Sequence, residues 1–174
     1  MKCTLAVVCC IVLASLPLLG QKKATTGKAM TDQQFVDFAA QTDMVEANLG
    51  QLAADAASSQ ETKDYASTLV TDHTADYREL SAAAKQSSLN VPNAIDSEHN
   101  KMIDPFQKLK GAAFDRKYAH EMVAGHTKAI EIYKKEASDA QNDAIKSYAQ
   151  TALPVLEKHL SSAKDLEKAK PSTK

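Results

Sequence analysis

Tryptophan is absent from the 174 residues, and the three cysteines, Cys3, Cys9 and Cys10, all fall within the first ten positions. The remaining chain therefore has no disulfide, no thiolate metal ligand and no cysteine nucleophile. Glycine and proline number only five each while alanine is abundant, a balance that favours helix over turn-rich sheet. Charge of one sign is also missing. Twenty-one basic and 22 acidic side chains leave a net charge of −1, too little for the long-range field of a general nucleic-acid binder. No Gly-rich phosphate loop, nucleophile elbow or Cys-x-x-Cys-His occurs, so phosphate-loop chemistry, serine hydrolysis and attached c-type haem have no support. No reaction is legible, and a non-enzymatic role is the expectation.

What is present begins with an export signal. Lys2 precedes an apolar run from Leu5 to Leu19, which is shorter than the roughly 20 residues of a spanning helix and has the size of a signal peptide. Residues 1–20 are expected to be that peptide, cut near Gly20, with an uncleaved anchor as the alternative. After cleavage no transmembrane span is expected. Residues 21–30 read as a polar linker, 31–168 as one helical domain and 169–174 as a disordered tail.

Within the domain, hydrophobic spacing predicts four long helices. Thr31 and Gln34 form a capping box before a first helix over about 32–57, with Phe35, Phe38, Ala39, Val45, Leu49, Leu52 and Ala56 on one face. Ser58 and Glu61 suggest a second capping box, opening a helix that runs to about Gln86 and buries Ala66, Leu69, Tyr77, Leu80 and Ala84. The third helix starts after Gly111 and buries Phe114, Tyr118, Met122, Ala129 and Tyr133. Ser138 and Gln141 repeat the cap signature before the fourth, whose stripe is Ile145, Tyr148, Ala152, Leu156, Ala163 and Leu166, with a bend expected at Pro154.

The connection over 87–111 is long, and Asp104 before Pro105 is a good start for a short helix within it. Such a segment covers the about 39 Å of a 26-residue helix. The second and third long helices then run parallel, the crossover topology of ferritin-like bundles, which is favoured over an up-down-up-down arrangement.

Each apolar stripe carries one polar group: Glu46, His73, His126 and His159 in chain order. Asp76 follows His73 by one turn. His99 lies in the connector, and His120 faces away from Tyr118 and Met122. Buried histidines are commonly neutral and merely satisfied by a neighbour, but a buried carboxylate costs several kcal/mol unless paired or metal-bound. Glu46 precedes residue 59 by 13 positions and His73 follows it by 14, which sets the two level in an antiparallel pair. His126 precedes residue 139 by 13 positions, whereas His159 follows it by 20. That mismatch of seven residues, about 10 Å of helix, leaves the place of His159 open. The advance by fours from Phe114 through Tyr118 and Met122 to His126 turns His126 inward, against His73 or Glu46.

The stretches EANLGQLA, LVTDHTADYREL, FDRKYAHEMVAGH and LPVLEKHL together resemble the blocks of the exported bacterial family called domain of unknown function 4142, over about 31–168. The resemblance implies a ferritin-like helical bundle, a periplasmic or cell-envelope location and no established activity. Members are sometimes labelled outer-membrane proteins, but a four-helix pattern is not a barrel, which needs alternating strands. Ferritin-like di-iron enzymes use Glu-x-x-His pairs. Here Val70, Val123 and Leu156 stand three residues before the histidines, so the carboxylates for two irons are missing.

Two functions follow as expectations. One is a non-catalytic stress or envelope module, associated with an envelope protein or with further copies of itself. The alternative is a mononuclear metal site of Glu46, His73, His126 and His159. Imidazole with one carboxylate suits zinc or copper, and Met122 nearby biases toward copper(I).

Overall fold

The structure, a computed structural model, describes residues 30–169. The expected signal peptide, nearly all of the linker, and the tail beyond residue 169 lie outside the described residues. Four long helices, α1 (Asp32–Ala56), α2 (Gln60–Gln86), α4 (Gly111–Asp139) and α5 (Asp143–Lys168), form the bundle, with a short α3 (Ser97–Ile103) and a 3-10 turn (Asp104–Phe106) in the crossover. Among the described residues no strand occurs, and no helix is long and apolar enough to cross a membrane.

The topology follows from which ends meet. Phe35 near the start of α1 shares one cluster with Leu80 and Ala84 late in α2, Tyr133 late in α4 and Ile145 early in α5. The opposite ends meet in a second cluster that includes Leu49, Leu69, Phe114 and Ala163. So α1 is antiparallel to α2 and α4, while α2 and α4 run in the same direction on opposite corners of the bundle. This is the long-crossover arrangement.

Helix starts show where local signals prevail and where distant ones do. At α1 the capping box forms as expected, Gln34 N–H donating to Thr31 Oγ1 and Thr31 N–H to Gln34 Oε1. At α2 the cap is Ser59, which accepts from Thr62 N–H, and not Ser58. Ser58 is taken by a carboxylate from another helix, since its N–H and that of Ser59 donate to Asp115 of α4 at 3.0–3.3 Å. The expected Ser138–Gln141 cap does not form either. Helix α4 continues to Asp139, and the N–H groups of Gln141 and Asn142 donate instead to Asp32 of α1. Each antiparallel turn is thus capped by an aspartate from across the bundle.

The short helix of the crossover starts earlier than Asp104–Pro105, because Asp96 caps it by accepting from Glu98 and His99 N–H. Two glutamines of α1 hold the extended part. Gln33 exchanges hydrogen bonds with the backbone of Asn90, and Gln41 bridges Ala94 O and Asp96 N–H. Ile103 and Phe106 then insert beside Phe114 and Tyr118. Most of the expected stripe residues are buried, with Phe38, Leu52, Tyr77 and Leu166 only half-buried. Helix α5 continues through Pro154 as one helix.

Gly50 lets α1 and α2 approach closely. A Cβ there would stand 2.7 Å from Val70 Cγ2 and 2.8 Å from Ala66 O, closer than side chains tolerate. This tight crossing lies one turn from Glu46 and one turn from His73.

A candidate metal centre between two apolar clusters

The two clusters leave a polar layer between them, where Asp43, Glu46, His73, His126 and His159 are all 5% exposed or less. Each of the four long helices contributes to it, at the position where its stripe switches from one cluster to the other. Tyr133 of one cluster and Tyr118 of the other are buried near it, and burial of its groups makes its electrostatics strong.

Every histidine is held by its own acceptor. His73 Nδ1 lies 2.8 Å from Asp43 Oδ1, His126 Nδ1 2.9 Å from Met122 O, and His159 Nε2 2.9 Å from Asp72 Oδ2. Since carbonyl and carboxylate oxygens only accept, these three ring nitrogens carry the hydrogen. The other nitrogen of each ring, His73 Nε2, His126 Nε2 and His159 Nδ1, is buried with no hydrogen-bonding partner. One ligand nitrogen from each histidine lies within 4.8 Å of those of the other two, and the ring centroids are 5.3–5.9 Å apart.

Glu46 adds a fourth donor atom. Its Oε2 is 3.2 Å from His73 Nε2 and 3.5 Å from His126 Nε2, within ion-pair distance but without hydrogen-bond alignment. The three histidine nitrogens thus form the close group, and Glu46 stands beside two of them; unprotonated, such a buried set repels itself unless a positive charge stands among it.

The titration of the layer reflects that demand. Burial alone would lower the His73 pKa, but Glu46 and Asp43 together push it up to about 10. Burial likewise works to raise Glu46, yet His126, His73 and His159 hold it below the usual carboxylate range. Burial lowers His159, against its bond to Asp72. Burial raises Asp43 despite its bond to His73. Glu46 and Asp43 thus favour the protonated form of the His73 ring when no metal is bound.

All four residues expected from the sequence are brought together, His159 included. The register argument that set His159 apart counted the turn as if it were helix. Thirteen residues separate His126 from Asp139 at the end of α4, and 16 separate Asp143 at the start of α5 from His159. The remaining three residues amount to about 4.5 Å, which side-chain reach absorbs. His99 is held by Asp96, and His120 lies on the surface beside Glu167; neither joins the layer.

Sequence reasoning missed the two aspartates that orient the rings. Asp43 stands one turn before Glu46 on the same face, a spacing that marks it as buried beside the site. Asp72 is half-exposed and adjoins His73 in sequence but serves His159, so only the packing of α2 against α5 reveals it. Asp76 accepts from Tyr148 O–H at 2.6 Å, and Tyr148 and Tyr133 hydroxyls are 3.1 Å apart, extending the polar layer toward the Phe35 cluster.

The chain belongs to the family described as domain of unknown function DUF4142, whose model matches residues 18–166. No curated protein sequence matches it significantly. Among solved structures it is similar to CopM in the Cu(II)-bound form, at 16% identity and a TM-score of 0.66 over 80% of this chain and 97% of that one. It is also similar to CopM in the Ag-bound form, at 17% identity and a TM-score of 0.63, and in the Cu(I)-bound form, at 14% and 0.64. Both of those matches cover 78% of this chain and 94% of the other. At these identities the likeness establishes the all-helical fold.

Proposed function

We propose that this member of the DUF4142 family is an exported metal-binding protein of the cell envelope, holding one copper ion on His73, His126 and His159 with Glu46 as a fourth ligand. The observation that carries the reading is the set of three buried ring nitrogens with no hydrogen-bonding partner, each on a ring whose other nitrogen is anchored. A metal-binding imidazole is ordinarily oriented in this way, its second nitrogen donating to a carboxylate or a backbone carbonyl. Even with a protonated His73 facing Glu46, His126 Nε2 and His159 Nδ1 keep no hydrogen-bonding partner.

Three imidazoles and a carboxylate suit zinc and copper, and copper(II) binds such sites more tightly than other first-row divalent ions. The solved copper- and silver-bound CopM bundles support copper as the class of ion for this fold. With metal–nitrogen bonds of about 2 Å and ligand atoms up to 4.8 Å apart, loading draws the rings inward. Binding also displaces the proton on His73, so uptake releases protons and weakens in acid.

Calorimetric titration of copper(II) into chelator-treated mature protein tests the reading. One ion per chain is expected, with a rise in Tm. Absence of both heat and thermal shift at micromolar protein refutes it, and equal affinity for zinc and copper leaves the site but refutes the choice of metal.

A further inference from the structure

Among the described residues, one approach to the buried layer leads to Glu46. A cleft of about 480 Å³ lies between α1, α4 and the crossover. Glu46 is among its lining residues, and none of the three histidines is. Glu46 is correspondingly the least buried of the four ligands, with 7% of its side chain exposed against 2%, 0% and 3% for His73, His126 and His159.

The two carboxylate oxygens of Glu46 face different surroundings. Oε2 points at His73 and His126, while Oε1 lies 3.5 Å from the position a Cβ on Gly125 would take. Gly125 itself lines the cleft, and nothing else stands within 4 Å of that position. A glycine inside a long helix costs about 1 kcal/mol relative to alanine. Here its missing side chain leaves a window in the α4 wall in front of Oε1.

Three lysines, Lys101, Lys117 and Lys128, and two glutamates, Glu46 and Glu121, line the cleft. Lys117 is paired with Glu121 at 2.9 Å, and Lys128 sits over the Phe38 ring. His99, whose Nδ1 is bonded to Asp96, and the exposed Met102 also line the cleft, an imidazole and a thioether of the kind that suit copper.

Resting on the copper reading above, we propose that this cleft is the path by which the ion reaches the histidines. Glu46 receives it on Oε1 and hands it across on Oε2, and Gly125 keeps the window open. The ion never has to cross either apolar cluster.

Stopped-flow mixing of copper(II) with mature protein, read by quenching of tyrosine emission in a chain without tryptophan, tests the path. Gly125→Leu fills the window from α4. Thr42→Leu narrows the cleft from α1, one turn before Glu46, and serves if the first variant does not fold. Narrowing a path slows passage both ways, so association and dissociation rate constants should each fall about tenfold or more with the equilibrium affinity unchanged. Gly125→Ala places a methyl 3.5 Å from Oε1 and should slow both rates by less than the leucine variant. Wild-type protein that takes up no copper overturns the copper reading and the path with it. Wild-type binding with unchanged rates in both leucine variants, or with faster dissociation alone, overturns the path and leaves the site standing.

Discussion

His73 and Asp43 face each other across α1 and α2 with Nδ1 2.8 Å from Oδ1, each with only 2% of its side chain exposed. The bond fixes which nitrogen of His73 carries the hydrogen and turns Nε2 toward Glu46, His126 and His159. It also lends the ring negative charge, which makes Nε2 a stronger ligand. An aspartate in this relation sets metal affinity without touching the ion.

Asp43→Asn keeps an acceptor for the Nδ1 hydrogen and removes the charge. Copper affinity should fall about 10–100-fold, the range for loss of such a supporting group, with stoichiometry still one. Competition against a chromophoric chelator measures it, and unchanged affinity would show that Asp43 only satisfies a buried ring. The free His73 pKa should move down from its raised position, because Asp43 helps hold it up, as one-dimensional NMR of the ring protons would follow.

His126→Leu separates binding from folding. His126 is fully buried at the boundary of the two apolar clusters, its Nε2 3.5 Å from Glu46 Oε2, and it helps hold the Glu46 charge. Removing one partner of a buried charge is destabilising, so the metal-free variant should melt below wild type. It should lose one of three nitrogen ligands and show no copper-dependent rise in Tm. A variant that still gains wild-type stabilisation from copper removes His126 from the site.

Asp115→Ala tests the cap supplied from across the bundle. Asp115 accepts from the N–H groups of Ser58 and Ser59 ahead of α2, where the dipole also favours a carboxylate. Loss of a capping acceptor costs about 0.5–2 kcal/mol, and urea unfolding of the metal-free protein should show a drop of that size. Because Asp115 lies far along α4 from His126, copper stoichiometry should not change.

The periodic features were the legible ones. Phe114, Tyr118, Met122 and His126 repeat by fours, so the inward face of α4 follows from spacing alone, and the length of 87–111 favoured a crossing of the bundle over an up-down-up-down arrangement. The cap signatures at Ser58–Glu61 and Ser138–Gln141 misled because the acceptors that settle those turns, Asp115 and Asp32, sit 57 and 109 residues away from Ser58 and Gln141. His159 was displaced by counting residues 140–142 as helical rise. Asp72 was hidden because a residue adjoining His73 in sequence serves a histidine on another helix. Local rules reach one or two turns; the orientation of the rings is decided across helices.

Glu136 gives the protein a pH dependence of its own, away from the histidines. It is 4% exposed near the end of α4, with Oε1 unpartnered, beside Asp32. Burial first, then the Asp32 charge, push its pKa up to about 7, while Asp32, which accepts from Gln141 and Asn142, is held below the usual carboxylate range by those bonds against burial. A folded-state pKa above the unfolded one, about 4.3 for glutamate, means stability that is fully present below that value and lost as pH rises through about 7. Glu136→Gln keeps a neutral donor for Asp32 at every pH. The variant should match wild type near pH 4 and exceed it by about 1–3 kcal/mol at pH 8. Chemical denaturation of chelator-treated wild type and variant across that range measures the difference, and parallel profiles would show that Glu136 titrates as an ordinary surface carboxylate.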